Sequence, residues 1–200
     1  MTPKILKIHA AFICGVLILM TLISCDAGIE DSPQPGILRI TLEADPADTS
    51  IVIITDTFSV QPGDFFAVTI FQGKVFRDST FAVLYPTIES YKQEDIVYNI
   101  IRRDSLGYQR FTIFESHVPP SDYNRIQFGV RSLILRFGNF FIPVETEENY
   151  FLNLSKNFTV KENEITEINL QIKPFQSIIR YRDTYQFHPV VEIMRVNYLE

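Results

Sequence analysis

The sequence predicts an all-β body, an antiparallel β-sandwich of immunoglobulin-like or transthyretin-like type, preceded by a helical signal peptide that is cleaved. Three observations predict it. Apolar and polar residues alternate with period 2 along most of the chain past residue 36, as half-buried strands require. Pro-Gly, Gly-Asn and Glu-Asn pairs punctuate the alternation at short intervals. No stretch past the leader carries a 3.6-residue apolar stripe, so the body offers no amphipathic helix. About nine to eleven short strands, each with one buried face, close as two packed sheets, with a barrel as the second arrangement.

Taken in order, Leu38, Ile40 and Leu42 alternate with Arg39, Thr41 and Glu43 and form the first strand. Residues 51–54 are a continuous apolar run, a second strand or a strand within an elaborated loop. Gln61-Pro62-Gly63-Asp64 places Pro and Gly at the two centres of a type II turn, and Phe66, Val68 and Ile70 follow on one face. Gln72-Gly73-Lys74 separates that strand from the next, which begins at Val75, and residues 81–85, 96–101 and 109–114 continue the pattern. His117-Val118-Pro119-Pro120-Ser121-Asp122 breaks the chain before a long strand over 123–137. Gly138-Asn139 between apolar runs is a two-residue hairpin signature. Residues 145–149 are polar and form a loop. Strands follow at 158–161 and 165–172 about Glu162-Asn163, then at 177–181 and 190–196.

The first 25 residues divide into a basic start with Lys4 and Lys7, an apolar run over about 10–20, and Leu22-Ile23-Ser24-Cys25. A membrane-spanning helix needs about 20 apolar residues, whereas a signal-peptide core needs fewer. The tetrad Leu22, Ile23, Ser24 and Cys25 resembles the bacterial lipobox. That resemblance implies cleavage between Ser24 and Cys25, a diacylglycerol on the Cys25 thiol, an acyl chain such as palmitate on its amine, and anchorage to the membrane. At about 0.8 kcal/mol per buried CH₂, one chain holds only marginally and two or more hold effectively. The expected organisation is a signal peptide over 1–24, a lipidated cysteine and tether over 25–36, and one domain over 37–200. The tether is acidic and then rich in Pro and Gly, a composition that cannot bury enough apolar surface to order itself. Its acids resemble the post-cysteine signals of Bacteroidetes-type surface lipoproteins, although Asp directly after the cysteine is an inner-membrane retention signal in other bacteria. The expected address is the outer membrane, with the cell surface favoured over the periplasmic face.

Without Lys4 and Lys7, the mature chain carries 16 basic and 24 acidic residues, a formal charge of −8. Such a balance, with Lys and Arg scattered or paired only as Arg102-Arg103, argues against nucleic acid as a partner. Cys14 lies in the leader and Cys25 at its end, so no disulfide staples the body and no thiol serves catalysis or metal there.

From Gly36 onward the chain resembles a prokaryotic lipoprotein domain of unknown function, number 4382. The matching residues are Gly36-Ile37-Leu38-Arg39-Ile40-Thr41-Leu42 with Ala44-Asp45-Pro46-Ala47-Asp48, then Pro120-Ser121-Asp122-Tyr123-Asn124-Arg125-Ile126-Gln127. Phe158-Thr159-Val160, residues 168–172, Ser177-Ile178 and Pro189-Val190-Val191 complete them. The chain departs from the family in a displaced early Asp, a missing Trp in the first hairpin and an insertion at residues 49–63. The resemblance implies the fold and the envelope address but no activity. A second likeness is to fimbrial or adhesin lipoproteins with transthyretin-like sandwiches that exchange strands between subunits.

Chemistry-bearing motifs are sparse. His117 and His188 stand in no metal-ligand spacing, and each is expected to be structural. There is no G-x-S-x-G and no Gly-rich phosphate cradle. Asp45 with Asp48, and Glu145 with Glu147 and Glu148, offer oxygens but lack the spacing of a calcium loop, so solvated loops are expected. A glycosidase pair leaves no spacing signature, and the Trp platforms common in sugar hydrolases are absent. Phe65, Phe66, Phe71, Phe76, Phe140, Phe141, Tyr150 and Phe151 include adjacent pairs; in a one-sided sheet one member of each pair is exposed, a candidate binding platform unless loops or a partner cover it. Asp78-Ser79-Thr80 and Asp104-Ser105-Leu106 resemble a short bacterial O-glycosylation motif. Asn153-Leu154-Ser155 and Asn157-Phe158-Thr159 are sequons. The expectation is a non-catalytic, cofactor-free envelope lipoprotein that binds a glycan, peptide or partner protein; the alternative is a fimbrial or adhesin-type assembly subunit.

Overall fold

The computed structural model describes residues 32–105, 107–147 and 150–199. The signal peptide, the lipobox residues Leu22, Ile23, Ser24 and Cys25 and most of the tether lie outside the described residues. Gln34–Glu200 form one compact unit.

The unit is all-β, with no helix among the described residues. In chain order its strands are β1 (Gly36–Ala44), β2 (Ser50–Ile53), β3 (Asp56–Ser59), β4 (Phe65–Arg77), β5 (Thr80–Val83), β6 (Ile96–Asn99), β7 (Arg103–Asp104) and β8 (Gly107–Tyr108). They continue as β9 (Phe111–Val118), β10 (Ser121–Phe137), β11 (Phe140–Glu145), β12 (Phe151–Val160), β13 (Ile165–Ile172), β14 (Ile178–Tyr181), β15 (Thr184–Phe187) and β16 (Val191–Leu199). A four-stranded sheet runs β16-β13-β1-β9. An eight-stranded sheet runs β14-β15-β11-β10-β4-β5, with β12 also paired to β10 and β6 to β4. β2-β3 and β7-β8 are separate two-stranded ribbons.

Each large sheet gives one face to a shared apolar core, in a sandwich-like arrangement. Leu38, Ile40 and Leu42 of β1 and Ile168, Leu170 and Ile172 of β13 meet Phe66, Val68 and Ile70 of β4 and Ile126, Phe128 and Val130 of β10. Phe114 of β9 reaches across to Phe128, ring centres 5.9 Å apart.

The expected purely antiparallel arrangement is corrected: both sheets are mixed. β1 pairs β13 in parallel from Ile37↔Ile165 to Ala44↔Ile172, and β11 pairs β15 in parallel. Alternation reports which face of a strand is buried but not which way its neighbour runs. A parallel partner needs a long crossover, and here nearly the whole of the large sheet lies between β1 and β13.

Several boundaries are also corrected. Gln72-Gly73-Lys74 is no separator; β4 runs through it, and the pairing with β10 slips between Gln127 and Gly129. Gln72 takes φ +50° at this bulge. A Cβ on Gly73 would stand 2.6 Å from the Phe114 ring, so the glycine is set by close approach. The break expected over 117–122 narrows to Pro119-Pro120, because β9 ends at Val118 and β10 starts at Ser121. β12 begins at Phe151 rather than 158, and β15 was not legible in the sequence. Residues 49–63 hold the β2-β3 hairpin, whose Ile51 is buried.

Two turns form as expected. Asp64 N donates to Gln61 O at 3.1 Å with Gly63 at φ +94°. Phe137 pairs with Phe140 about Gly138-Asn139, and only Gly138, at φ +53°, is left-handed.

The strand directions give the unit two distinct ends. The chain enters at Gly36, beside the β12-β13 turn, where Ile37 N donates to Glu164 O at 2.9 Å. Val118, Ser121, Val160 and Ile165 lie at this entry end by register. Ala44, Ile172 and Val191 mark the far end of the small sheet, and Phe65, Arg136 and the β10-β11 turn that of the large one.

Candidate functional site

The two sheets differ on their outer faces. Beyond the core, the small sheet carries paired charges: Arg39 bridges Glu115 at 2.6 Å and Glu167 at 3.7 Å, and Arg110 bridges Glu43 at 2.8 Å. This is a solvated, self-satisfied surface. The large sheet instead carries rings and cations. Arg125 stacks 4.1 Å above Phe76, which packs at 5.5 Å on Phe81, itself 4.8 Å below the Lys74 ammonium. Phe71 lies over Gly129, where a Cβ would collide with its ring, and contacts Phe151 at 5.7 Å with Arg131 at 5.1 Å. The predicted aromatic platform is therefore largely occupied by its own sheet.

Phe140 and Phe141 are the exception. One of each adjacent aromatic pair was expected to be exposed, but here both are, at 65% and 66%. Phe141 faces outward opposite Arg136, with Ile134 exposed on the same face. Phe140 shares the inward face of Ile142, yet it sits beyond the rim of the core. Its ring meets that of Phe58 of the β2-β3 hairpin at 5.7 Å, and Phe58 also touches Phe137 at 5.8 Å. In the pair Phe65-Phe66, by contrast, Phe66 is fully buried.

The same end holds a cleft of about 530 Å³, lined by the 61–64 turn, Asn99, Ile101, Arg102, Arg103, Asp104 and Arg136. Asp64 builds it. Buried, it accepts Gln61 N on one oxygen at 2.7 Å and Gly138 N on the other at 2.8 Å, which ties the type II turn to the β10-β11 hairpin. Asn99 adds a bond from its amide to Asp64 O at 3.2 Å. Arg136 donates through Nη2 to Gly63 O at 2.8 Å, and its enclosed Nε has no acceptor. Arg103 lies 4.8 Å above the Tyr108 ring. The β2-β3 hairpin also exposes Val52 and, in its turn, Ile54.

The other sequence candidates are not brought together. His117 is exposed on β9; His188 follows β15, its Nε2 3.4 Å from Gln186. Asp45 caps its own turn by accepting Ala47 N at 2.9 Å. Asp48 is buried, with one oxygen accepting Phe175 N at 2.7 Å and Gln176 N at 3.2 Å. Neither carboxylate points at a shared ion site, and no group of three potential metal-ligating side chains occurs among the described residues. Glu145 and Glu147 line a small hollow with His188, of about 160 Å³; Glu148 lies outside the described residues. Both sequons lie on β12, and Asp78-Ser79-Thr80 forms the exposed β4-β5 turn. At the entry end a polar cleft of about 610 Å³ contains Asp78 and Asp122, each already accepting a hydrogen bond, from Asn124 and Thr159.

Sequence reasoning missed the far-end cleft. Its arginines stand at 102, 103 and 136, and only the Arg102-Arg103 pair was a local signal. No helix among the described residues is long and apolar enough to cross a membrane. No family model, no curated protein and no solved structure matches this chain.

Proposed function

We propose that the protein is a non-catalytic cell-envelope lipoprotein, anchored through lipids on Cys25, whose domain binds a glycan, peptide or partner protein at its far end. One observation carries the reading. The chain enters the domain at the end opposite the exposed Phe140 and Phe141, so a tether from the membrane would present those rings outward. Exposed aromatic side chains beside arginines are the residue types on which binding surfaces rely. The lipobox-like Leu22, Ile23, Ser24 and Cys25 supply the anchor, and the acidic tether favours the outer surface of the outer membrane. In this reading the fold is an immunoglobulin-like or transthyretin-like sandwich of the kind found in domain of unknown function 4382.

Two measurements test it. Cys25→Ser is expected to abolish incorporation of labelled palmitate and release the chain from membranes; a membrane-bound, unprocessed variant would refute the anchor. On glycan and peptide arrays, a ligand held by the wild type is expected to be lost in Phe140→Ser/Phe141→Ser. Turnover on a glycoside and peptide substrate panel, abolished by a single carboxylate substitution, would replace binding with catalysis.

A second reading, an assembly subunit, rests on β16. Among the described residues this strand is an edge, hydrogen-bonded as a strand to β13 on one side, with Met194, Tyr198 and Leu199 exposed. An open edge strand is an element with which a strand of another chain can pair. A chain that stays monomeric at high concentration counts against it.

A further inference from the structure

We infer that the far-end cleft binds an oxyanion, a carboxylate or a phosphate ester, carried on a small polar organic ligand. The inference rests on the reading that the far end is the binding end, and it names the chemistry of the ligand there.

The argument starts from the state of the cations. A guanidinium cannot be deprotonated in a protein, and elsewhere on this surface Arg39, Arg110 and Arg131 are paired with carboxylates. Arg102, Arg103 and Arg136 converge on one cleft, and none of them makes an ion pair among the described residues. Two aspartates share the lining. Asp64 has both oxygens engaged by backbone N–H groups, so it holds the cleft's shape. With Asp104 counted as well, the lining is still one charge positive, in a chain whose formal net charge is −6. That local reversal of sign has no counterpart in the paired small-sheet face.

Arg136 is also placed for recognition. Its bond to Gly63 O fixes the guanidinium at the cleft wall, with the Nε edge enclosed and turned away from a ligand. Arg103 is held by its stack on Tyr108. Planar, pre-positioned guanidinium forks match carboxylate and phosphate oxygens in pairs of parallel hydrogen bonds. The remaining walls are not those of a bare-ion site. Phe65, Ile101 and Pro62 offer apolar surface and Asn99 an amide, in a volume within the range of small-molecule clefts, about 300–1,000 Å³. An acidic sugar or a sugar phosphate has this combination of charge, hydroxyls and apolar ring faces.

The test is calorimetric titration of the full lipidated chain in detergent with digalacturonate, glucose 6-phosphate, glucose and inorganic phosphate. At least one charged sugar is expected to bind, neutral glucose is not, and added NaCl should weaken the binding. Arg102→Gln/Arg103→Gln, which alters exposed side chains and should lower thermal stability by no more than the loss of the Arg103–Tyr108 stack, is expected to weaken binding by roughly tenfold or more. Arg136→Lys keeps the charge but removes the fork, and it should weaken binding too. Which charged sugar binds separates carboxylate from phosphate. The inference is overturned if neither charged sugar binds at concentrations up to about 10 mM, if inorganic phosphate alone binds, or if binding survives the double substitution. An array ligand lost in Phe140→Ser/Phe141→Ser alongside failure of the charged probes would overturn the cleft and leave far-end binding standing.

Discussion

Asp48 is the side chain on which the loop after β1 depends, and its protonation can be argued from its surroundings. Burial pushes its carboxyl pKa up, and the N–H groups of Gln176 and Phe175 pull it back; the net shift is upward. Because the folded state holds the proton more tightly than the unfolded chain, Asp48 adds most to stability below the unfolded value of about 3.9, and that contribution is lost as pH rises through the folded value. Asp48→Asn keeps an oxygen for Phe175 N without the buried charge. It is expected to be neutral or mildly stabilising at pH 7 and to remove this part of the pH dependence. Asp48→Ala strands the same N–H groups and should cost about 1–3 kcal/mol. Urea unfolding of both variants at pH 4 and pH 7 decides; equal losses would show that the charge itself is required.

At the scale of elements, the β2-β3 hairpin departs from local rules. Its two-residue turn is Ile54-Thr55, and Ile54 is held at φ +61° while 68% exposed. Left-handed backbone costs an L-residue roughly 1–2 kcal/mol, and most when it is β-branched. Ile54→Gly is therefore expected to raise the unfolding free energy by up to about 1 kcal/mol, the gain being reduced by glycine's larger unfolded-state entropy. A fall in melting temperature would mean that the Ile54 side chain makes contacts that repay the strain. This hairpin also marks the limit of what the sequence could say. Short-range chemistry was legible: the 61–64 turn, the Gly138 hairpin and the alternation of β1 all follow from residues a few positions apart. The parallel β1-β13 pairing was not, since alternation has no direction, and neither was the run of β4 through Gly73, a glycine whose place is set by the Phe114 ring from another sheet. The far-end cleft was hidden for the same reason. Its arginines come from two distant segments of chain, which β4 brings together by pairing with both β6 and β10.

For the whole molecule, the order of parts along the chain becomes an order in space. β1 carries the chain away from its entry at Gly36 to Ala44, about 3.3 Å per residue, so Ala44 stands roughly 25–30 Å from the point of entry, and the exposed rings and the arginine cleft lie at that same end of the longer β10. A tether of about a dozen residues reaches at most about 3.3–3.6 Å per residue when fully extended, and a flexible one averages much less. If Cys25 is lipidated, the entry end stays near the bilayer and the far end is held away from it. The prediction can be read without knowing any ligand, because Cys25 is the mature chain's only cysteine and its thiol would be blocked by lipid. Asn139→Cys places a thiol in the far-end hairpin, and Glu162→Cys places one in the entry-end turn; both positions are exposed. In proteoliposomes, a maleimide on a bulky polymer should label the Asn139→Cys chain several times faster than the Glu162→Cys chain. After the lipidated residue is removed by proteolysis in the tether, the two rates should converge. Equal rates before release would place both ends at similar distance from the membrane and remove the basis for far-end presentation.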